Sequence, residues 1–286
     1  MLDWIKREGK FFYQLSREVI THTFYRDNAA LLAAAISFYA ILSFVPLLLV
    51  LLSISSYLVH SSDEVALQFF TLIDTAFPAA TAQALQLISG VIGKRQIFGL
   101  VGLVALAWSA SRIFNVAESA MNIVWKPEKR RPYWRSRLLT FGLVPLSLVI
   151  IIFSFSWTAL NSLAKETTLP LMGIKLTDTF LFSGVAPILF PILLSFTLFF
   201  FIYKALPSHK PSGTACVAGA GFASLVWEIS KLLFDLYIKN FGEMNKIYGS
   251  LGGIVILILW IYYSAYILIV GAEVGAAWER LSKENI

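Results

Sequence analysis

Six predominantly apolar runs, at 29–52, 97–117, 138–163, 179–203, 213–237 and 250–272, alternate with charged intervals along the chain. A helix that crosses a hydrocarbon core of about 30 Å needs about 20 such residues, so each run is long enough to span a membrane. The pattern predicts an all-α polytopic membrane protein with one six-span domain over 29–277 and a tail at 278–286. Residues 1–28 read differently. Trp4, Ile5, Phe12, Leu15 and Val19 fall near one helical face while Lys6, Arg7, Lys10 and Arg17 occupy the rest, which predicts an amphipathic helix. Such a helix either lies on an anionic membrane surface or packs on its own bundle. Between the first two spans, 53–96 is mixed in character. Ser61 and Glu64 have capping-box spacing, and Pro78 divides 65–77 from 81–92. Both pieces are too short and polar to span, and they predict outer amphipathic helices that an envelope protein partner could meet.

Small residues recur at four-residue spacing inside the runs: Ala29, Ala33 and Ser37 in the first, Ala215, Gly219 and Ala223 in the fifth, Gly271 and Gly275 at the end of the sixth. Such stripes let helix backbones approach closely where lipid tails are as apolar as leucine. Pro46, Pro145, Pro187 and Pro191 predict kinks whose freed backbone groups need other partners. The polar positions carry more chemistry. Arg112, Asn115, Glu118, Ser119 and Asn122 fall within an arc of about 120° at about 100° per residue, a stripe that faces protein or water. In the fifth span Glu228, Lys231 and Asp235 share a face beside Trp227. An ionisable group at the centre of a span costs about 2.5–3.5 kcal/mol, so a chain that keeps several has a partner or a use for them. Arg112, Asn115, Glu118, Asn122, Trp227, Glu228, Lys231 and Asp235, with Tyr248 in the last outer turn, therefore form the expected substrate path. Snorkelling is the structural alternative for Arg112, and a local ion pair is the alternative for Glu228 and Lys231. Glu273, Glu279, Arg280 and Lys283 are expected to end the chain in water.

Composition narrows the chemistry. Hydrophobic residues make up 58% of the chain and charged residues 14%, with a mean hydropathy of +0.74, against about 25% charged for a soluble domain. Cys216 is the one cysteine and lies in an apolar run, so neither a disulfide frame nor a thiolate metal site is expected. His22, His60 and His209 are scattered, without an HExxH pattern or a His/Asp cluster, and read as surface or interfacial; no metal, cofactor or catalytic residue is expected. A GxxxxGK loop is absent, so a driving force would come from a gradient or a partner. Of the 23 basic residues, fifteen fall on the side of the N-terminus and tail and six on the other, which puts both termini in the cytoplasm. The basic loop from Trp125 to Arg137 fits contact with anionic lipid headgroups without any nucleic acid.

Several segments also carry a family resemblance. Ala33 to Ala40 with Pro46, the Trp125 to Arg137 loop, Ala205-Leu206-Pro207, Gly219-Ala220 ahead of Trp227-Glu228, Ile247-Tyr248-Gly249-Ser250, Leu259 to Tyr263 and Gly271-Ala272-Glu273 resemble the YihY/virulence-factor BrkB family of bacterial inner-membrane proteins. The resemblance covers roughly the whole chain. It implies a six-span inner-membrane protein of unsettled activity, discussed as a transporter or envelope factor, some of whose members have carried a ribonuclease label. The residues give that label no support, because hydrolysis needs metal ligands or a positioned acid and base. The expectation is a non-enzymatic transporter or facilitator of a lipid or other amphiphile, with membrane lipids as partners. A scaffold that anchors an envelope complex through 53–96 and a small-solute or ion channel are the alternatives.

Overall fold

A computed structural model describes residues 2–59, 95–128, 131–132, 134, 186–241 and 250–284. Among them every regular element is helical, as the hydrocarbon environment requires of a backbone that must satisfy its own hydrogen bonds. Helix α1 (Leu2–Thr21) runs into a π-helical turn (His22–Arg26) ahead of α2 (Ala29–Val59). Then come α3 (Arg95–Trp125), α4 (Ala186–Ala205), α5 (Gly213–Phe241) and α6 (Ser250–Glu284). Gly99–Trp125, Gly213–Phe234 and Val255–Lys283 are long and apolar enough to cross a membrane. A fourth crossing results if Tyr13–Arg26 and Ala29–Phe44, bent by 64° at their junction, count as one span; Leu189–Ala205 is a shorter apolar helix. The run at 138–163 and the outer pieces at 65–77 and 81–92 lie outside the described residues.

Two helix ends differ from the apolar pattern. α2 carries on through Pro46 to Val59, beyond the polar change at Ser53. α6 carries on past Ala272 to Glu284, and the residues expected in water are not all released into it: Glu273 is 0% exposed and Glu279 8%. The physical reason is periodic. Ala272, Ala276, Ala277 and Leu281 are all buried and keep an apolar face on the helix through its charged stretch.

Residues 1–34, 115–241 and 262–286 form one compact unit. In it α4 packs along α5, with the Phe199 ring edge-on to Trp227 at 6.4 Å and the Ser195 hydroxyl 3.3 Å from Glu228 Oε1. The fifth-span stripe of Ala215, Gly219 and Ala223 is buried against Gly271 and Gly275 of α6. A methyl group added at Gly219 would stand 2.6 Å from the Gly271 carbonyl oxygen, and one at Gly275 would stand 2.8 Å from that of Ala215. Tyr203 is fully buried and donates its hydroxyl to the Leu268 carbonyl at 2.8 Å, tying α4 to α6. On α1, Leu15 packs with Ala277 and Leu281, flanked by Phe11, Val19 and Trp278. Phe11 meets Trp278 edge-on at 5.1 Å, and the Arg280 guanidinium pairs with Glu18. Of the two settings expected for the N-terminal helix, Phe11, Leu15 and Val19 take the one against the chain's own last helix.

Residues 35–114 and 242–261 form the second unit. Along α3, Leu100, Val101, Leu103 and Val104 are each more than half exposed, while Ser109 is buried and returns its hydroxyl to the Leu106 carbonyl at 3.1 Å. An exterior this apolar is solvated by lipid tails rather than water.

Candidate functional site

The bend between α1 and α2 is built on a widened turn. The Asp27 N–H donates to the His22 carbonyl at 2.9 Å, five residues back instead of four. Asn28 follows at φ 49°, a left-handed conformation that a short polar side chain tolerates, and its carbonyl accepts the Leu31 N–H at 2.9 Å to start α2. This turn carries His22 and Asp27 inward, both buried, with Nδ1 2.9 Å from Oδ2. Lys126, the residue just after α3, sets its ammonium 3.4 Å from Asp27 Oδ1 and is itself left-handed at φ 46°. Asn28 and Lys126 are the non-glycine residues with positive φ among those described, and both flank one carboxylate. Glu273 of α6 completes the cluster. Its carboxylate, the His22 imidazole and an Asp27 oxygen lie within 4.8 Å of one another, and neither Glu273 oxygen has a hydrogen-bond partner.

Lys126 also borders an open cavity of about 660 Å³. Its walls are the end of α3 with Pro127 and Glu128, the connection between α4 and α5 at Ser208, His209 and Lys210, and the last turns of α6 at Ala276, Glu279, Arg280 and Lys283. Local hydrogen bonds fix that connection. Asn122 Oδ1 accepts the Ser208 N–H at 2.7 Å, Arg131 Nη1 donates to the Ala205 carbonyl at 2.6 Å, and Lys204 Nζ donates to the Pro211 carbonyl at 2.7 Å. Glu279 Oε1 lies 3.2 Å from His209 Nε2 and 3.1 Å from Lys283 Nζ. Four cations, Lys126, Lys210, Arg280 and Lys283, line the bowl with two carboxylates, Glu128 and Glu279; three of the cations are already paired, Lys126 with Asp27, Arg280 with Glu18 and Lys283 with Glu279. Among the described residues, Trp125 Nε1, Glu279 Oε2 and Arg280 Nη2 are buried without partners and belong to residues that line this cavity; Glu273 and Thr23 supply the others, in or next to the buried cluster. Orphaned buried polar atoms are rare in folded chains, and their concentration marks a place that a ligand, ion or water completes.

The residues of the expected path are distributed as follows. Arg112 belongs to the second unit, exposed, with its guanidinium 5.4 Å from the centre of the Trp108 ring. Asn115, Glu118 and Asn122 belong to the first unit. Asn115 accepts the Ser119 hydroxyl on its carbonyl at 2.9 Å, and Asn122 holds the cavity wall through Ser208. Glu228 pairs with Lys231 at 2.7 Å, the local pair weighed for these two residues, and Trp227 packs against Phe199. The Asp235 side chain and Tyr248 lie outside the described residues. Sequence reasoning missed His22, Asp27, Lys126 and Glu273 as a group, and His22 is buried where a surface or interfacial place was expected. One signal was available: Glu273 falls between Gly271 and Gly275 in the stripe that marks close helix contact.

Comparison with known proteins adds kinship. The family described as Virulence factor BrkB matches residues 20–286. A UPF0761 membrane protein of Vibrio atlanticus is 32% identical over 283 residues, covering 96% of this chain and 85% of that protein. Another, from Vibrio campbellii, is 32% identical over 277 residues, covering 93% and 81%. A Bacillus subtilis protein named as ribonuclease-like, YfkH, is 28% identical over 263 residues, covering 88% and 90%. No solved structure matches the chain.

Proposed function

From the premise that the chain belongs to the virulence factor BrkB family of membrane proteins, we propose that it is a non-enzymatic facilitator that moves an anionic lipid or similar amphiphile, with the headgroup held in the basic bowl beside Lys126. The observation that carries this reading is the bowl itself: about 660 Å³, with four cations and two carboxylates in its lining and with residues of unfilled hydrogen-bonding capacity. A phosphate headgroup takes charge-assisted hydrogen bonds from lysine and arginine, while its acyl tails stay against the apolar helix exteriors. Asn122 and Glu118 stand four and eight residues before Lys126 on one face of α3, so the polar stripe of the second span leads to the bowl. Asn115, Trp227 and the Glu228–Lys231 pair, which belong to the same unit as the bowl, serve as further polar stations on the path. In this reading the protein has six spans in a bacterial inner membrane. Both termini and the bowl face the cytoplasm, where the positive-inside bias and anionic lipid favour the same cations. His22, Asp27 and Glu273 are buried and closed to a polynucleotide, so the ribonuclease-like name of the Bacillus relative is not extended to this chain.

The test is transbilayer movement in liposomes that hold the purified protein and trace fluorescent phosphatidylglycerol or phosphatidylcholine. The wild type is expected to speed the anionic probe more than the zwitterionic one. Replacing Lys126, Lys210 and Lys283 together by alanine is expected to lower the anionic rate by about tenfold or more, since each near-surface cation contributes about 1 kcal/mol. Rates equal to those of protein-free liposomes would overturn the reading.

A further inference from the structure

We propose that His22, Asp27 and Glu273 form a site for one divalent transition-metal ion of the class that accepts mixed imidazole and carboxylate ligands, seated where the bend between α1 and α2 meets α6. The site is separate from the headgroup reading and stands without it. Three donors of the right kind already converge: the imidazole and the two carboxylates lie within 4.8 Å of one another, with His22 and Asp27 at 2.9 Å. Donors about 2.1 Å from a shared ion stand about 3–3.4 Å apart. The widest separation therefore needs to close by at most about 1.4 Å, within the reach of the three rotatable bonds of a glutamate side chain.

Charge points the same way. Lys126 and Arg280 are near Glu273, but Lys126 is paired with Asp27 and Arg280 with Glu18, so Glu273 is fully buried with no hydrogen-bond partner on either oxygen. A buried carboxylate whose neighbouring cations are already engaged with other carboxylates is poorly compensated. A divalent cation answers this directly, binding both carboxylates while the neutral imidazole supplies a third ligand. One imidazole with two carboxylates suits Zn²⁺ or Mn²⁺. Mg²⁺ keeps several of its waters and Ca²⁺ takes six to eight oxygens, and neither matches a buried three-ligand cluster with a nitrogen donor. Two left-handed residues, Asn28 and Lys126, hold the backbone around the cluster at a conformational cost that a bound ion helps to offset. The bound ion would cross-link the N-terminal bend to the last helix.

Full-length protein in detergent, stripped with a chelator, is titrated with Zn²⁺, Mn²⁺ and Mg²⁺, and bound metal and thermal unfolding are both measured. The expected result is one Zn²⁺ or Mn²⁺ per chain with a raised Tm that the same concentration of Mg²⁺ does not reproduce. Glu273→Gln keeps the shape of the side chain and is expected to weaken binding by at least about 100-fold, beyond what loss of an outer partner costs; His22→Gln should do likewise. Absence of stoichiometric uptake by the wild type overturns the proposal, as does equal uptake by both variants, which would mark an adventitious surface ion. A Glu273→Gln protein that unfolds at a higher temperature than a metal-free wild type, which itself takes up no ion, would put a proton on Glu273 instead. If a variant does not fold, the wild-type titration and its ion selectivity decide the matter.

Discussion

Tyr203 shows how much one side chain does in a bundle of small residues. Its ring lies 5.9 Å from Trp125 and 6.0 Å from Phe199, and its hydroxyl spends its proton on Leu268 of a different helix. Hydrogen bonds between membrane helices average about 0.6 kcal/mol, whereas removal of a buried aromatic ring costs about 3–5 kcal/mol. Tyr203→Phe is therefore expected to lose under about 1 kcal/mol and Tyr203→Ala several times more, measured by unfolding in detergent; equal losses would assign the whole contribution to the hydroxyl. At the same scale lies the limit of what the sequence could convey about the site. Residues three or four apart share a helical face, but His22 and Asp27 are five apart and meet because the turn between them is widened. No pattern of apolar spacing announces such a turn. Glu273 was legible only indirectly, through the glycines on either side of it.

At the scale of elements, the close-packing stripes were legible because they depend on spacing alone. Gly219 and Gly221 make the point testable, since both lie in α5 two positions apart. A methyl group at Gly219 meets a backbone carbonyl of α6, while one at Gly221 meets nothing within 4 Å. Gly219→Ala is expected to destabilise by about 1–3 kcal/mol through overpacking. Gly221→Ala is expected to be neutral or to stabilise by up to about 1 kcal/mol, as alanine is the better helix former. Thermal unfolding of the two variants checks the contrast, and similar losses in both would remove the stripe's role. Helix ends were less legible than helix faces. Hydropathy marks where a run stops being apolar on average, but α6 continues for as long as one face stays apolar, and that face extends to Leu281.

At the scale of the molecule, composition alone declared a membrane protein, and kinship with membrane proteins agrees. The buried cluster was beyond it, because Glu273 comes from the far end of the chain from His22 and Asp27, and only folding unites them. Packing of α1 on the last turns of α6 predicts that both ends of the chain lie on one side of the membrane. With Cys216→Ser as background, Glu18→Cys and Arg280→Cys should both react with an impermeant thiol reagent from the same side of the membrane and should cross-link to each other. Labelling from opposite sides would refute the arrangement. The same contact has a consequence in time. Glu18 and Arg280 are 262 positions apart, and a ribosome that adds about 5–20 residues per second takes about 13–50 s to make that stretch. Throughout that interval Leu15 and Phe11 have been synthesised and the residues that cover them have not. Helix α1 is thus made long before it can be docked, and a nascent chain that stalls before α6 carries an uncovered α1 that chaperones and proteases can read as a sign of incompleteness.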